Sequence, residues 1–179
     1  MMPDDNAILD LLQHTDTYER GFRLLLQKYQ ERLYAHIRRM VVEHEDANDV
    51  LQNTFIKVHR NINRFERKSA LFTWLYRIAT NETWTFLEQK NKKETTVLDD
   101  TPLGQQLYAD NYIDGDALQR KLHEAVVALP EKQRTVFTMR YFDEMPYDEI
   151  AEVSGTSVGA LKASFYHAVQ KVEKYLKET

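Results

Sequence analysis

The stretch PYDEIAEVSGTSVGALKASFYHAVQKV, residues 146–172, decides the fold. Its first half places Ile150, Ala151 and Val153 at helical spacing, and Gly155 follows. A longer segment then sets Val158, Leu161, Phe165, Val169 and Val172 on one stripe. A glycine permits positive φ at a corner, and its small size lets two helix axes approach. Ser157 stands where it would cap the second helix. The spacing predicts a helix-turn-helix. Thr156, Gly159, Lys162, Ala163, Tyr166 and His167 project away from the stripe, with Ser157 and Ala160 between them. Small and polar residues in that position let a helix enter the DNA major groove. Taken alone, these residues fit an ordinary helical hairpin with a glycine corner equally well.

The rest of the chain is read outward from there. Its 179 residues allow one large domain or two small ones. Gly 5 and Pro 4 are low counts for a chain with many tight strand connections, so an all-α fold is expected. With Cys 0 there are no disulfides, thiolate metal sites or cysteine nucleophiles. No apolar run approaches the ~18 residues of a membrane span. The opening MMPDDNAILDLLQH has no basic segment of the secretory kind, so a soluble cytoplasmic protein is expected.

The net charge of −4 conceals an alternation. Residues 57–93 carry nine Lys/Arg against three Asp/Glu, and residues 94–116 carry six acids and no base. A nucleic-acid surface is read from such a distribution, and the sum hides it.

Helices are expected over Asn6–Gln13 and over Thr17–Glu43, the latter capped by Asp16 or Thr17. A third is expected through HEDANDVLQNTFIKVHRNI, capped by Asp46, with Val50, Leu51, Phe55, Val58 and Ile62 buried. A fourth, capped by Ser69, covers ALFTWLYRIATNETWTFLEQK, where Leu71, Leu75, Ile78, Ala79 and Phe86 share a face. Residues 94–116 hold Pro102, Gly104 and Gly115 and lack a sustained period, so they read as a flexible linker. It separates one small helical domain, residues 1–93, from a second, residues 117–179, and each is expected to have its own core. In the second, Leu118, Leu122, Val126 and Leu129 line up, Pro130 ends the helix, and EKQRTVFTMRYF forms the next.

This context, joined to the opening stretch, resembles the C-terminal domain of sigma-70-family transcription initiation factors of the small extracytoplasmic-function type. The resemblance rests on Leu129-Pro130, the aromatic-rich end from Phe137 to Phe142, and Asp143-Glu144. It continues through Glu149-Ile150-Ala151, Gly155 and Val158-Gly159-Ala160-Leu161-Lys162, and covers nearly all of residues 117–177. Many family members carry arginines where this chain has Ser164 and His167. Contact to the −35 element is therefore expected to lean on Lys162, Tyr166, Lys171 and helix-terminal amides.

The N-terminal half resembles the same family. DANDVLQNTFIKVHRNINRF is similar to the helix that docks on the clamp coiled coil of core polymerase. The resemblance implies that role for Asp46, Asn48, Asp49, Gln52 and Asn53, which form a polar ridge that would otherwise be a solvated face. SALFTWLYRIATNETWTFLEQKNKK is similar to the segment that binds the −10 element, and NRFERKSA to the loop that receives a flipped base. The implied −10 contacts are Arg64, Phe65, Arg67, Lys68, Ser69, Thr73, Trp74, Arg77 and Asn81. Aromatic rings and cations on one surface suit single-stranded DNA, since every base offers a π-face and every phosphate a charge. Trp74 could equally be a residue at the edge of the core.

The implied function is an initiation factor that binds core RNA polymerase, clamp and flap, and directs it to promoter DNA, with an anti-sigma factor as a further partner. The alternatives are a one-component helix-turn-helix regulator and a sigma mimic that sequesters a regulatory partner. Catalysis has little support. His14, His36, His44, His59, His123 and His167 show no His-x-x-x-His spacing, and most of them read as surface or helix-edge residues. Asp143-Glu144 reads as a solvating turn. No metal or cofactor is expected, and neither is membrane insertion.

Overall fold

The computed structural model describes residues 3–96 and 117–178. The expected linker, 94–116, lies outside them, apart from three residues that extend a helix. Regular structure among the described residues is helical throughout. The helices are α1 (Asp5–Leu11), α2 (Thr15–Met40), α3 (His44–Asn61), α4 (Leu71–Thr96), α5 (Ala117–Val127), α6 (Glu131–Phe137), α7 (Tyr147–Ser154) and α8 (Val158–Glu178). A 3₁₀ turn, Ile62–Arg64, follows α3, and a π-helical turn, Thr138–Phe142, continues α6.

Several helix ends differ from expectation, each for a local reason. The Asp4 carboxylate accepts from the Ala7 amide at 2.7 Å and starts α1 one residue early. Thr17 caps nothing: its hydroxyl donates back to the Leu11 carbonyl at 2.7 Å and closes the α1–α2 corner. Gly21 lies in that corner because a Cβ there would stand 2.9 Å from the Leu11 Cβ. α2 stops at Met40, where Val41 turns extended, and the Arg38 guanidinium donates to the Val41 and Val42 carbonyls at 3.2 and 2.7 Å. Glu43, and not Asp46, is the N-terminal flanking residue of α3. Asp46 sits in the first turn and pairs with Lys90 of α4 at 2.7 Å, beside Glu43 at 2.9 Å. Burial pushes the Lys90 ammonium down, but its bonds and proximity to the two carboxylates outweigh this and raise it. Ser69 does not cap α4, whose first bond runs from the Trp74 amide to the Ala70 carbonyl.

Leu25, Leu33, Ile37, Val50, Val58, Leu71 and Leu75 make the centre of the first module. Each fully buried aliphatic of this kind stabilises the fold by roughly 1.5–3 kcal/mol. In the second module Leu129, Phe137, Ala168 and Val172 form a separate cluster. Leu118 is not part of it: it lies 61% exposed in the first turn of α5.

At the helix-turn-helix, Gly155 takes φ +68° and its amide closes α7 on the Ala151 carbonyl at 2.9 Å. A Cβ at Gly155 would meet nothing within 4 Å. The glycine therefore serves the left-handed backbone, and the expected close approach of helix axes is not its reason. Ser157 caps α8 through its hydroxyl on the Ala160 amide at 3.4 Å.

The expectation of two separate cores is corrected by the way the modules meet. The first module's apolar cluster continues into Val136, Met139, Met145, Ile150, Val153 and Leu161 of the second. Each of these six residues is at most 5% exposed. α7 lies along α4. Two further corrections fall at this junction. His36 is fully buried, and its ring nitrogens meet Asp143 Oδ2 at 2.8 Å and Thr80 Oγ1 at 3.0 Å. Asp143 is no solvating residue: its side chain is 5% exposed and also accepts from Arg39 at 3.2 Å.

Candidate nucleic-acid interface

The helix-turn-helix face is open along its length. Thr156, Ser157, Gly159, Ala160, Lys162, Ala163, Tyr166 and His167 are all exposed. Leu161, Ala168 and Val172 hold the opposite side of α8 in the core. Ala168 was missed in the stripe because alanine gives a weak apolar signal. Tyr166 accepts from the Gln170 amide at 2.7 Å, and its ring stands 5.7 Å from that of His167. The Lys162 ammonium lies 5.8 Å from the centre of the Tyr147 ring. A cation and two planar rings thus share an uncovered helix face of groove-fitting size.

The second set of residues surrounds the loop between the 3₁₀ turn and α4. Arg64, Arg67 and Lys68 are exposed, and Phe65 and Ser69 are partly covered. Arg67 holds φ +56°, a conformation that ordinary side chains seldom take, and its guanidinium pairs with Asp10 of α1 at 2.6 Å. Lys68 pairs with Glu66. Beside this loop a cavity of about 620 Å³ is lined by Leu9, Tyr18, His59, Asn63, Phe65 and Arg67 among others.

Trp74 is half-buried with its ring 5.1 Å from Phe65, so the loop and α4 are joined through two aromatic rings. Thr73 is 2% exposed and lies inside the module. Arg77 and Asn81 are exposed on α4. The Arg77 Nε donates to the Glu152 carbonyl of α7 at 3.0 Å. Trp84, which the sequence reading left aside, donates from its indole to the Thr135 hydroxyl of α6 at 3.1 Å.

The third set lies on α3. Asn48, Asp49, Gln52 and Asn53 are exposed on one ridge, with Asn48 3.1 Å from the His44 ring. Asp46 is apart from them, engaged by Lys90 and 18% exposed. Next to Gln52 runs an apolar groove lined by Phe22, Leu26, Phe55, Ile56, His59 and Arg60. Ile56 is 41% exposed there, and its break from the buried stripe is the signal that could have marked it.

Comparison with known proteins identifies the family in both halves of the chain. Residues 25–93 match Sigma-70 region 2, and residues 119–172 match Sigma-70, region 4. The chain is 30% identical over 96% of its length to the RNA polymerase sigma-H factor of Pseudomonas aeruginosa, covering 93% of that protein. It is also 30% identical to the ECF RNA polymerase sigma-E factor of Haemophilus influenzae, over 94% of this chain and 93% of the other. The fold is shared with the sigma factor RpoE solved in complex with the anti-sigma factor NepR from Bartonella quintana. There the TM-score is 0.73 at 20% identity, over 88% of this chain and 98% of the other. CnrH, in complex with the cytosolic domain of CnrY, superposes with a TM-score of 0.71 at 19% identity, covering 97% of both chains. No helix among the described residues is long and apolar enough to cross a membrane. With regions 2 and 4 both present, the chain belongs to the sigma-70 family as an ECF-type sigma factor, a transcription initiation factor that directs RNA polymerase to promoters.

Proposed function

We propose a division of this activity among the three surfaces. The exposed turn residues Thr156 and Ser157, with the exposed face of α8 as far as His167, read the −35 element in the major groove. The loop from Arg64 to Ser69, with Trp74, Arg77 and Asn81 of α4, holds the bared −10 strand; buried Thr73 supports that helix from within. Asn48, Asp49, Gln52 and Asn53 dock on the polymerase clamp, with Ile56 and Phe55 supplying apolar contact beside them. Residues 1–93 and 117–179 act as the two recognition domains. The protein itself makes and breaks no bonds and works in the cytoplasm. An anti-sigma factor is a partner, a reading supported by the complexes in which both solved relatives were found.

The observation that carries this reading is the uninterrupted exposure of all eight candidate positions around α8 while its other side is packed. Run-off transcription with core polymerase on genomic promoter fragments tests it. A sigma factor produces new start sites; a lone regulator or a sigma mimic produces none. Charge reversal at Asp49 with Gln52→Ala tests the docking surface. Core affinity should fall with the melting temperature unchanged, because neither side chain is buried. Unchanged affinity in a pull-down would move the docking surface elsewhere.

A further inference from the structure

A cavity of about 760 Å³ lies between the second half of α4 and the corner of the helix-turn-helix. None of the α4 or α6 residues that line it belongs to the three surfaces described above. That volume falls within the ~300–1,000 Å³ range of sites that enclose a small organic molecule, and such sites favour places where two modules meet.

Trp84 of α4, Val136 of α6 and Leu161 of α8 give the cavity apolar walls. Val136 and Leu161 are 5% and 1% exposed, so these walls belong to the core and keep their shape. The Trp84 indole is also fixed. Its N–H donates to the Thr135 hydroxyl at 3.1 Å, and that hydroxyl donates in turn to the Glu131 carbonyl at 2.9 Å. What Trp84 leaves to an occupant is apolar ring, which favours a second ring packed offset or edge-on.

The helix-turn-helix contributes Ser154, Thr156 and Ser164. Ser154 is engaged: its hydroxyl donates to the Ile150 carbonyl at 2.7 Å and accepts from the Thr156 amide at 3.3 Å. The Thr156 and Ser164 hydroxyls make no hydrogen bond among the described residues, and each can donate one and accept others. The exposed rim carries Glu88 and Lys92 of α4, paired at 2.8 Å, with Glu131 and Lys132 of α6. Two acids and two bases cancel, so the rim draws neither anions nor cations in preference.

We propose that this cavity binds a small, uncharged, planar aromatic molecule bearing hydroxyl or carbonyl groups, and that its occupant takes the Thr156 hydroxyl away from the −35 element. The ring packs on Trp84, Val136 and Leu161, and the polar groups meet Thr156 and Ser164. The effect on DNA rests on the assignment of Thr156 to the −35 face; the site itself does not.

The chain has two tryptophans, so two indole N–H signals report on it, and Trp84→Phe assigns them. The probe is 7-hydroxycoumarin at mildly acidic pH, where its phenol is uncharged. In nitrogen-15 spectra of the full-length protein, the Trp84 signal should move along a saturating curve while that of Trp74 stays in place. Coumarin-3-carboxylate, the same ring system with a negative charge, should bind several-fold more weakly. Ser164→Phe fills the cavity from α8 and should abolish the movement, with helical circular dichroism retained. If Ser164→Phe does not fold, Ser164→Ala should weaken binding by about 2- to 12-fold, the equivalent of one hydrogen bond. At saturating 7-hydroxycoumarin, affinity for a −35 duplex should fall by a similar factor in the parent and stay unchanged in Thr156→Ala, which lacks the hydroxyl.

No saturable movement of the Trp84 signal, or equal movement of both indoles, would overturn the site. So would undiminished binding in folded Ser164→Phe, or in Ser164→Ala if Ser164→Phe does not fold. Carboxylate binding as tight as that of the neutral coumarin would overturn the uncharged class. Binding that leaves the parent's duplex affinity unchanged would overturn the effect on DNA. If Thr156→Ala binds the duplex as well as the parent does, the −35 assignment of Thr156 falls, while the indole titration still decides the site.

Discussion

Replacing Arg134 by methionine removes a guanidinium that serves three backbone carbonyls. Arg134 donates to Met40 O across the junction at 2.7 Å, and to Val127 O and Leu129 O at the end of α5, the latter at 3.2 Å. Burial holds the guanidinium below the usual arginine range, against the opposing charge of Glu131. Bonds from a charged donor contribute about 1.5–3 kcal/mol each. Methionine keeps the apolar stem and loses all three. It also removes a desolvated charge, which returns several kcal/mol. The net destabilisation expected is about 2–3 kcal/mol. For a chain of this size that lowers the melting temperature by about 4–12 °C. Arg134→Lys should fall between the two, because an ammonium cannot reproduce the planar fork. Scanning calorimetry on the three proteins measures this. A methionine variant melting within ~2 °C of the parent would refute the reasoning, and so would a lysine variant equal to it.

Gly155→Ala should destabilise by about 1–2 kcal/mol, since alanine at φ +68° strains the backbone, while Gly159→Ala should stabilise by about 0.4–1 kcal/mol; urea melts separate the two. Lys162→Ala should weaken −35 duplex binding and reduce the slope of log affinity against log salt by about one, as read by a salt titration. Trp74→Ala should impair strand opening in permanganate footprinting, by roughly 1–3 kcal/mol for a lost stacking platform. Normal strand opening by a stably folded Trp74→Ala protein would remove this helix from the melting step.

The helix-turn-helix was legible because its signals are local. Gly155, the Ser157 cap and the Leu161, Phe165 and Val172 stripe each act within a few residues. The junction was not legible for the opposite reason. His36 and Asp143 are 107 positions apart, and the local rule that acids in turns are solvated favours the wrong answer for Asp143. α4 misled through its threonines. Thr73, Thr80 and Thr83 read as polar yet are buried. Thr83 satisfies its hydroxyl on the Ala79 carbonyl at 2.8 Å, and Thr80 meets His36. Their spacing with Tyr76 forms a second stripe at helical period, the mark of a helix covered on two sides. The same concealment made Thr73 look available to DNA.

Around Thr156, Gly159, Ala163 and Tyr166 the chain is under little obligation to its own fold. A side chain grown from Gly159 would enter empty space, and the packing of α8 is settled on its far side by Leu161, Ala168 and Val172. Substitutions on this face can therefore accumulate without unfolding intermediates along the way. Copies of such a gene can drift apart in the promoters they select while remaining equally stable, so new regulatory circuits can arise one residue at a time.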